Sequence, residues 1–536
     1  MAKPRSWSIG MLPEHYAAQG SDSVWHLDQP FGIDPSAGTQ ISFARLAGLV
    51  DEAAGWLHAA GARAWDRVAI IKDNHLDYMV LSAAAARIGA IPAMISALLP
   101  PEAHRTLLDR LDPVVLVVQS EVLARATAAG VSLSDGAKRT VVIGDAVPPE
   151  AISIDELRGS MPPAPDPRGW DEPMIITHTS GTTGLPKLVQ HAVRTVVGAL
   201  GRTESMRWPI VSSRPQDVVC SSIPFSHLRC ISWFVGTLAL QPSKIVVLSN
   251  TEPESVEAML LEHRPTTLEA LPATYERWEH QLLSRGTEAF SRVRLFVSTF
   301  DAMHPPTVRA FLAATQRKFP FWLQGWGQSE TGPMAFRMLT RPLMKRQGNR
   351  HPTIRNVGRP IPFRMRLRIV DPETGRKVPV GKPGVALAKT KGRCVDYIGE
   401  QDRWQLKADG DWWNTGDMVI RTLTGSFKLI DREIDHIPGL SGIELEDVLL
   451  DRLPKVSEVI ILGSPGQLPL PVICVEDGEL SPADWKAATA DLPKLAEPMV
   501  LPWADLPRTG TGKVRRIQLR EQLSGRADTF GHGRWS

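Results

Sequence analysis

Apolar residues recur every third or fourth position from Phe43 to Leu57. Phe43, Leu46, Val50, Ala53, Ala54 and Leu57 share one helical face, Ser42 stands in the N-cap position, and the pattern stops at Gly61. An amphipathic helix is predicted there. Short β-branched runs follow at Val68 to Ile71, Val114 to Val118 and Thr140 to Ile143, separated by alanine- and leucine-rich stretches of helical character. The run from Ser82 to Leu99 contains Arg87, Gly89 and Pro92, and reads as a buried helix leading into a strand. Strands alternating with helices predict parallel α/β sheets.

The pattern changes between Asn349 and Gly392, where Gly and Pro cluster around short runs such as Met365 to Val370. A β-rich, barrel-like subdomain is expected. Past Glu433 the units shrink: Val459 to Leu462 and Val472 to Val475 read as strands and Glu444 to Leu450 as a helix, a compact α+β unit. The tail from Ser524 to Ser536 is expected to be disordered.

Composition narrows the partners. The chain has 536 residues, 43% of them hydrophobic and 22% charged, enough to bury the cores of two or more domains. Its formal net charge of +3 gives no global reason to bind nucleic acid or anionic lipid. Cys220, Cys230, Cys394 and Cys474 lack metal or disulfide spacing, which fits a reducing cytoplasm. No apolar segment follows Lys3 and Arg5, and no membrane span is evident, so a cleaved signal is not expected.

The candidate chemistry starts at Met174-Ile175-Ile176, a strand end followed at once by Thr177-His178-Thr179-Ser180-Gly181-Thr182-Thr183-Gly184-Leu185-Pro186-Lys187. Glycines let the backbone N–H groups turn inward, hydroxyls add donors, and Lys187 adds positive charge. That combination suits a polyphosphate. The order G-x-x-x-x-G-K-[ST] is absent here and around Gly510 to Lys513, which excludes a P-loop NTPase.

Thr179 to Lys187 reads TSGTTGLPK and resembles the signature loop of the acyl-adenylate-forming superfamily. Further segments resembling that family's motifs occur in its order: Gln324-Gly325-Trp326-Gly327-Gln328-Ser329-Glu330, Trp413-Asn414-Thr415-Gly416-Asp417, Asp431-Arg432, and Pro507 to Lys513. The resemblance implies a large N-terminal domain over residues 1–431, with doubly wound α/β subdomains and a distorted β-barrel. It implies a small mobile α+β lid over 432–523, ahead of the tail 524–536. It implies ATP and Mg²⁺ as cofactors, with Thr179, Ser180, Gly181, Thr182, Thr183, Gly184 and Lys187 on the phosphates. Trp326, Gly327 and Ser329 would adjoin adenine, Asp417 the ribose, and Arg432 the domain junction. Glu330 would hold the metal and Lys513 would be the catalytic ammonium. Pro224-Phe225-Ser226-His227 resembles a segment that supplies a pocket histidine, which adds His227 to the catalytic set. Gly325, His227, Arg229, Trp233 and Phe300 are the candidate substrate contacts. Arg229 is open between pairing with a second anionic group on the substrate and sitting in a surface salt bridge.

Two departures bear on the reaction. The segment from Asp435 to Glu446 is shorter than the family's loop that lines the pantetheine tunnel, which puts thiolation by CoA in question. Ser298-Thr299-Phe300-Asp301 replaces a small-residue run beside the acyl pocket, which argues against a long fatty chain. The expected activity is adenylation of a small or aromatic carboxylic acid, with CoA as the default acceptor. The alternatives are an amine acceptor, a separate carrier protein, activation of nitrite as in a diazotase, or a catalytically silent nucleotide-binding protein.

Overall fold

The computed structural model describes residues 8–179, 185–347, 355–432, 442–453, 455–463, 467–475, 479–509 and 513–524. The expected tail 524–536 lies outside them except for Ser524, which ends the helix Arg516–Ser524.

The amphipathic segment forms the helix Phe43–Ala59, and the Ser42 hydroxyl accepts the Arg45 N–H at 3.1 Å, capping its first turn. Its apolar stripe is buried as predicted. The β-branched runs form the parallel strands Arg67–Lys72, Val115–Gln119 and Arg139–Ile143, each longer by a residue or two than its apolar centre or shifted by one. Ile91–Ser96 and Pro173–His178 extend this sheet on its other side, where Leu188–Ala192 turns back antiparallel.

A second sheet carries Val24–Leu27, Lys244–Val247, Val218–Ser222, Thr267–Ala270, Leu295–Ser298 and Phe321–Gln328 in parallel order. Helices Asp77–Arg87 and Leu228–Leu240 lie in one apolar cluster with Ile70 and Met94 of the first sheet and Trp25 and Ile245 of the second. Burial on all sides explains why Asp77–Arg87 shows no polar face. The barrel-like strands do not form a separate sheet. Gly332–Leu339 pairs antiparallel with Phe321–Gln328, and the path continues through Asn356–Pro360, Phe427–Arg432, Trp412–Arg421, Pro383–Thr390 and Met365–Val370. A third sheet of Val456–Leu462, Leu470–Val475 and Met499–Val500 packs with the helices Gly442–Arg452 and Pro482–Thr489, an α+β arrangement. No helix of the described residues is long and apolar enough to cross a membrane.

The candidate loops leave the carboxyl ends of parallel strands: Thr179 follows Pro173–His178, His227 follows Val218–Ser222, and Phe300 follows Leu295–Ser298. In open α/β sheets that edge is where ligands bind.

Candidate functional site

Thr179 and Lys187 close the base of the hydroxyl-rich loop. The Thr179 N–H donates to the Lys187 carbonyl at 3.0 Å, and the Lys187 N–H donates to Thr179 Oγ1 at 3.0 Å. Ser180, Gly181, Thr182, Thr183 and Gly184 lie outside the described residues. Lys187 Nζ sits 5.4 Å from the Tyr397 ring centre, and the Tyr397 hydroxyl donates to Glu330 Oε1 at 2.6 Å. Burial, reinforced by Lys407 and opposed by Glu330, lowers the Lys187 ammonium to about 8. Burial also works against the Glu330 charge, but Lys407, Lys187 and the Tyr397 hydroxyl outweigh it and hold that carboxyl below the usual range.

Among the described residues no group of three or more His, Cys, Asp or Glu could hold a metal ion. Glu330, an ionised carboxylate beside Lys187, offers one oxygen donor group. That fits Mg²⁺, which is commonly held by one or two carboxylates together with substrate phosphates.

The ribose-side expectation gains a partner. Asp417 Oδ2 accepts from Trp326 Nε1 at 3.1 Å and from Gln328 Nε2 at 2.9 Å, and Gln328 also donates to the Thr415 carbonyl at 2.7 Å. Trp326 is therefore oriented by a hydrogen bond as well as by packing. Gly327 lies in the same strand, and Arg432 is the backbone partner of Asp417 in the neighbouring strand. Gly325 permits close approach: a Cβ there would lie 2.9 Å from Phe336 Cε1 and 3.1 Å from Thr299 Cγ2.

His227 caps the helix Leu228–Leu240, its Nδ1 accepting the Arg229 N–H at 3.2 Å. The ring proton then belongs on Nε2, which faces Ser329 Oγ at 3.2 Å. Burial, with the charges of Lys513 and Arg229 nearby, lowers this imidazole to about 3, so it is neutral at physiological pH. Phe300 lies 4.5 Å from it, centre to centre, on backbone with φ of 81°, a conformation that costs a bulky residue energy and marks a constrained wall.

Of the two options for Arg229, the structure shows the salt bridge, though not one at the open surface. Its side chain is part-buried and held by two carboxylates, Glu269 at 2.7 Å and Glu204 at 2.9 Å, so it is not an uncommitted partner for a substrate anion. Trp233 packs edge-on against Trp25 and Phe225, with centres 5.7 and 6.2 Å apart.

These residues line two adjoining cavities. The polar one, about 350 Å³, takes in Thr179, Lys187, His227, Trp326, Glu330 and Lys513. The second, about 300 Å³, is mainly apolar and includes Trp233, Leu323 and Phe336. Lys513, from the third-sheet region, thus shares a cavity with Lys187, and its Nζ is 3.9 Å from Asp301. Motif reading missed Tyr397, Lys407, Gln328, Glu204 and Glu269. The one local signal among them was Glu269, a charge inside the otherwise apolar start of Thr267-Leu268-Glu269-Ala270.

Comparison with known proteins agrees with this arrangement. The AMP-binding enzyme family model matches residues 15–393. The 3-amino-2-hydroxy-4-methoxybenzoate diazotase of Streptomyces cremeus is 35% identical over 545 residues, 97% of this chain and 96% of that protein. A 3-aminoavenalumate diazotase of a Streptomyces species is 27% identical, over 83% of this chain and 76% of its own length. The crystal structure of the anthranilate CoA ligase AuaEII with anthranoyl-AMP superposes with a TM-score of 0.79 at 20% identity, covering 98% of this chain and 99% of that one. With its fold, its two lysines on one cavity and the match across most of its length, the chain belongs to the AMP-binding enzyme family and is an adenylate-forming ligase.

Proposed function

We propose that this ligase activates nitrite as its mixed anhydride with AMP and passes the nitroso group to an aromatic amine. The observation that carries the reading is the wall beside His227. Phe300, on left-handed backbone with its ring against that imidazole, stands where the resembled family has small residues, and lines the cavity that also takes in Lys513. The 35% identity to a diazotase along nearly the whole chain points the same way.

Nitrite is ionised at neutral pH and needs no general base, which matches an imidazole that is neutral and donates through Nε2. A nitrite oxygen attacks the α-phosphorus of ATP, the bond from that phosphorus to the bridging oxygen breaks, and pyrophosphate leaves. Lys513, carried on the lid formed by residues 432–523, stabilises the charge of that transition state. Lys187 and the hydroxyl-rich loop hold the outer phosphates, while Asp417 receives the ribose and Trp326 flanks the adenine. Glu330 would hold Mg²⁺, whose chemistry is to neutralise part of the phosphate charge.

The amine nitrogen then attacks the nitroso nitrogen, the N–O bond to AMP breaks, and AMP departs with that electron pair. The nitrosamine formed tautomerises, and the proton lost from nitrogen carries the hydroxide away as water, leaving the diazo group.

A second reading, transfer of an aromatic acid to CoA, is favoured by the apolar cavity, whose 300 Å³ suits an aryl group. One experiment separates the readings: pyrophosphate release from ATP and Mg²⁺ with nitrite or with benzoate-type acids, followed by mass spectrometry with aromatic amines or CoA added. Nitrite-dependent release and an amine-derived diazo product are expected, and Lys513→Ala should slow release on the order of 10²- to 10³-fold. Acid-dependent release with a thioester product would overturn the proposal in favour of CoA transfer. Bound ATP with no release from any oxyanion would leave a silent nucleotide-binding protein.

A further inference from the structure

The polar and apolar cavities share Leu200, Arg229, Ser232, Thr299 and Pro333, which mark the passage between them. Glu269 sits at this passage, 3% exposed, in a strand whose other residues are uncharged. It accepts from Arg229 through both oxygens, Nε to Oε1 at 2.7 Å and Nη2 to Oε2 at 2.7 Å, and Arg229 Nη2 also donates to Glu204 Oε1 at 2.9 Å. One guanidinium facing two carboxylates leaves one negative charge in excess. Glu204 is 30% exposed and open to water, whereas Glu269 is buried and also accepts from the Thr299 hydroxyl at 3.4 Å, so the excess charge is costly on the Glu269 side and favours a further donor there.

The walls define the shape of that donor. Trp208, Trp233, Leu323, Phe336 and Met338 form an apolar chamber suited to a planar ring. Two residues before Glu269, on the same face of the strand, Thr267 lines this chamber, and its Oγ1 is buried with no hydrogen-bond partner. The chamber therefore offers one unanswered hydroxyl within it and an anionic rim at its mouth. An acid presented at that rim meets like charge. A methyl group there adds no donor to the excess charge.

We propose that Glu269 and Glu204, fixed by Arg229, receive the N–H groups of a primary aromatic amine whose ring fills the apolar chamber, and so select an amine over an acid at the acceptor position. This assignment rests on the amine-transfer reading above and names the residues that make it specific. It places the amine nitrogen at the passage, facing the cavity that holds Lys513.

Calorimetric titration of the full chain, without nucleotide, compares 3-aminophenol with its near-isostere 3-methylphenol and with 3-hydroxybenzoate. The amine should bind on the order of tenfold or more tighter than the methyl compound, as expected for hydrogen bonds to charged acceptors, and the acid should bind more weakly than either. Glu269→Gln should pull the amine-to-methyl ratio toward one. Where that variant does not fold, Glu204→Gln at the more exposed carboxylate carries the same expectation. Equal binding of amine and methyl compound by the wild type, or an undiminished ratio in the variants, would overturn the assignment. Nitrite-dependent pyrophosphate release is measured alongside. Amine preference without that release keeps the assignment and sinks the nitrite reading, and release without amine preference does the reverse.

Discussion

At Lys187, burial and Lys407 bring the ammonium down to about 8, so its charge titrates within the range of ordinary buffers. A triphosphate binds the protonated form and raises its pKa. Nucleotide affinity should therefore be flat below pH 8 and weaken above it, by at most tenfold per pH unit. Calorimetry with ATP at pH 7, 8 and 9 measures the slope, and Lys187→Arg should flatten it because a guanidinium stays protonated. A wild-type affinity independent of pH would refute Lys187 as a phosphate ligand. Lys187, Glu330 and Asp417 were legible because each sits in a contiguous run whose composition betrays it. Tyr397 and Lys407 were not, and Gln328, although it stands in the same run as Glu330, gave no sign of its partner. Tyr397 reaches Glu330 across 67 positions of sequence and Gln328 reaches Asp417 across 89, and a hydroxyl or an amide in isolation carries no sign of such a partner.

Among the elements, the helix Phe43–Ala59 and the parallel strands could be read from sequence because one-sided or full burial imposes periodicity directly. The continuity between the parallel sheet and the barrel-like strands could not, since it depends on a crossing of backbones rather than on a pattern of side chains. Gly358 sits at that crossing. It adopts φ of 85°, and a Cβ there would lie 1.9 Å from the Phe336 carbonyl oxygen, a fixed backbone atom. Gly358→Ala combines strained φ with a clash that no rotamer relieves, so a loss of several kcal/mol, on the order of 3 or more, is expected. Denaturant unfolding of the variant measures it. Stability within 0.5 kcal/mol of wild type, the ordinary range for a surface substitution, would show that the crossing is loose.

Across the whole molecule, the region bearing Lys513 meets the rest of the chain at a cluster of charges. Lys513 faces Asp301 at 3.9 Å, His304 faces Glu276 at 3.2 Å, and Glu458 is held by Arg508. Burial, with Glu458, Asp301 and Glu279 adding repulsion and His304 opposing, pushes the Glu276 carboxyl up to about 7. The folded, seated arrangement thus binds a proton that an exposed glutamate would release near 4.5. The stabilisation of that seating is complete below 4.5 and is lost as pH rises through 7, because the ionised carboxylate then faces Glu458 and Asp301. Between pH 6 and 8 the Lys513 region should leave its seat more often, and small-angle scattering of the nucleotide-free chain should register a larger radius of gyration at the higher pH. Glu276→Gln carries no charge in this range and should hold the smaller radius at both. If wild type and variant expand alike, the change comes from other groups, and Glu276 does not set how often Lys513 reaches the cavity it shares with Lys187.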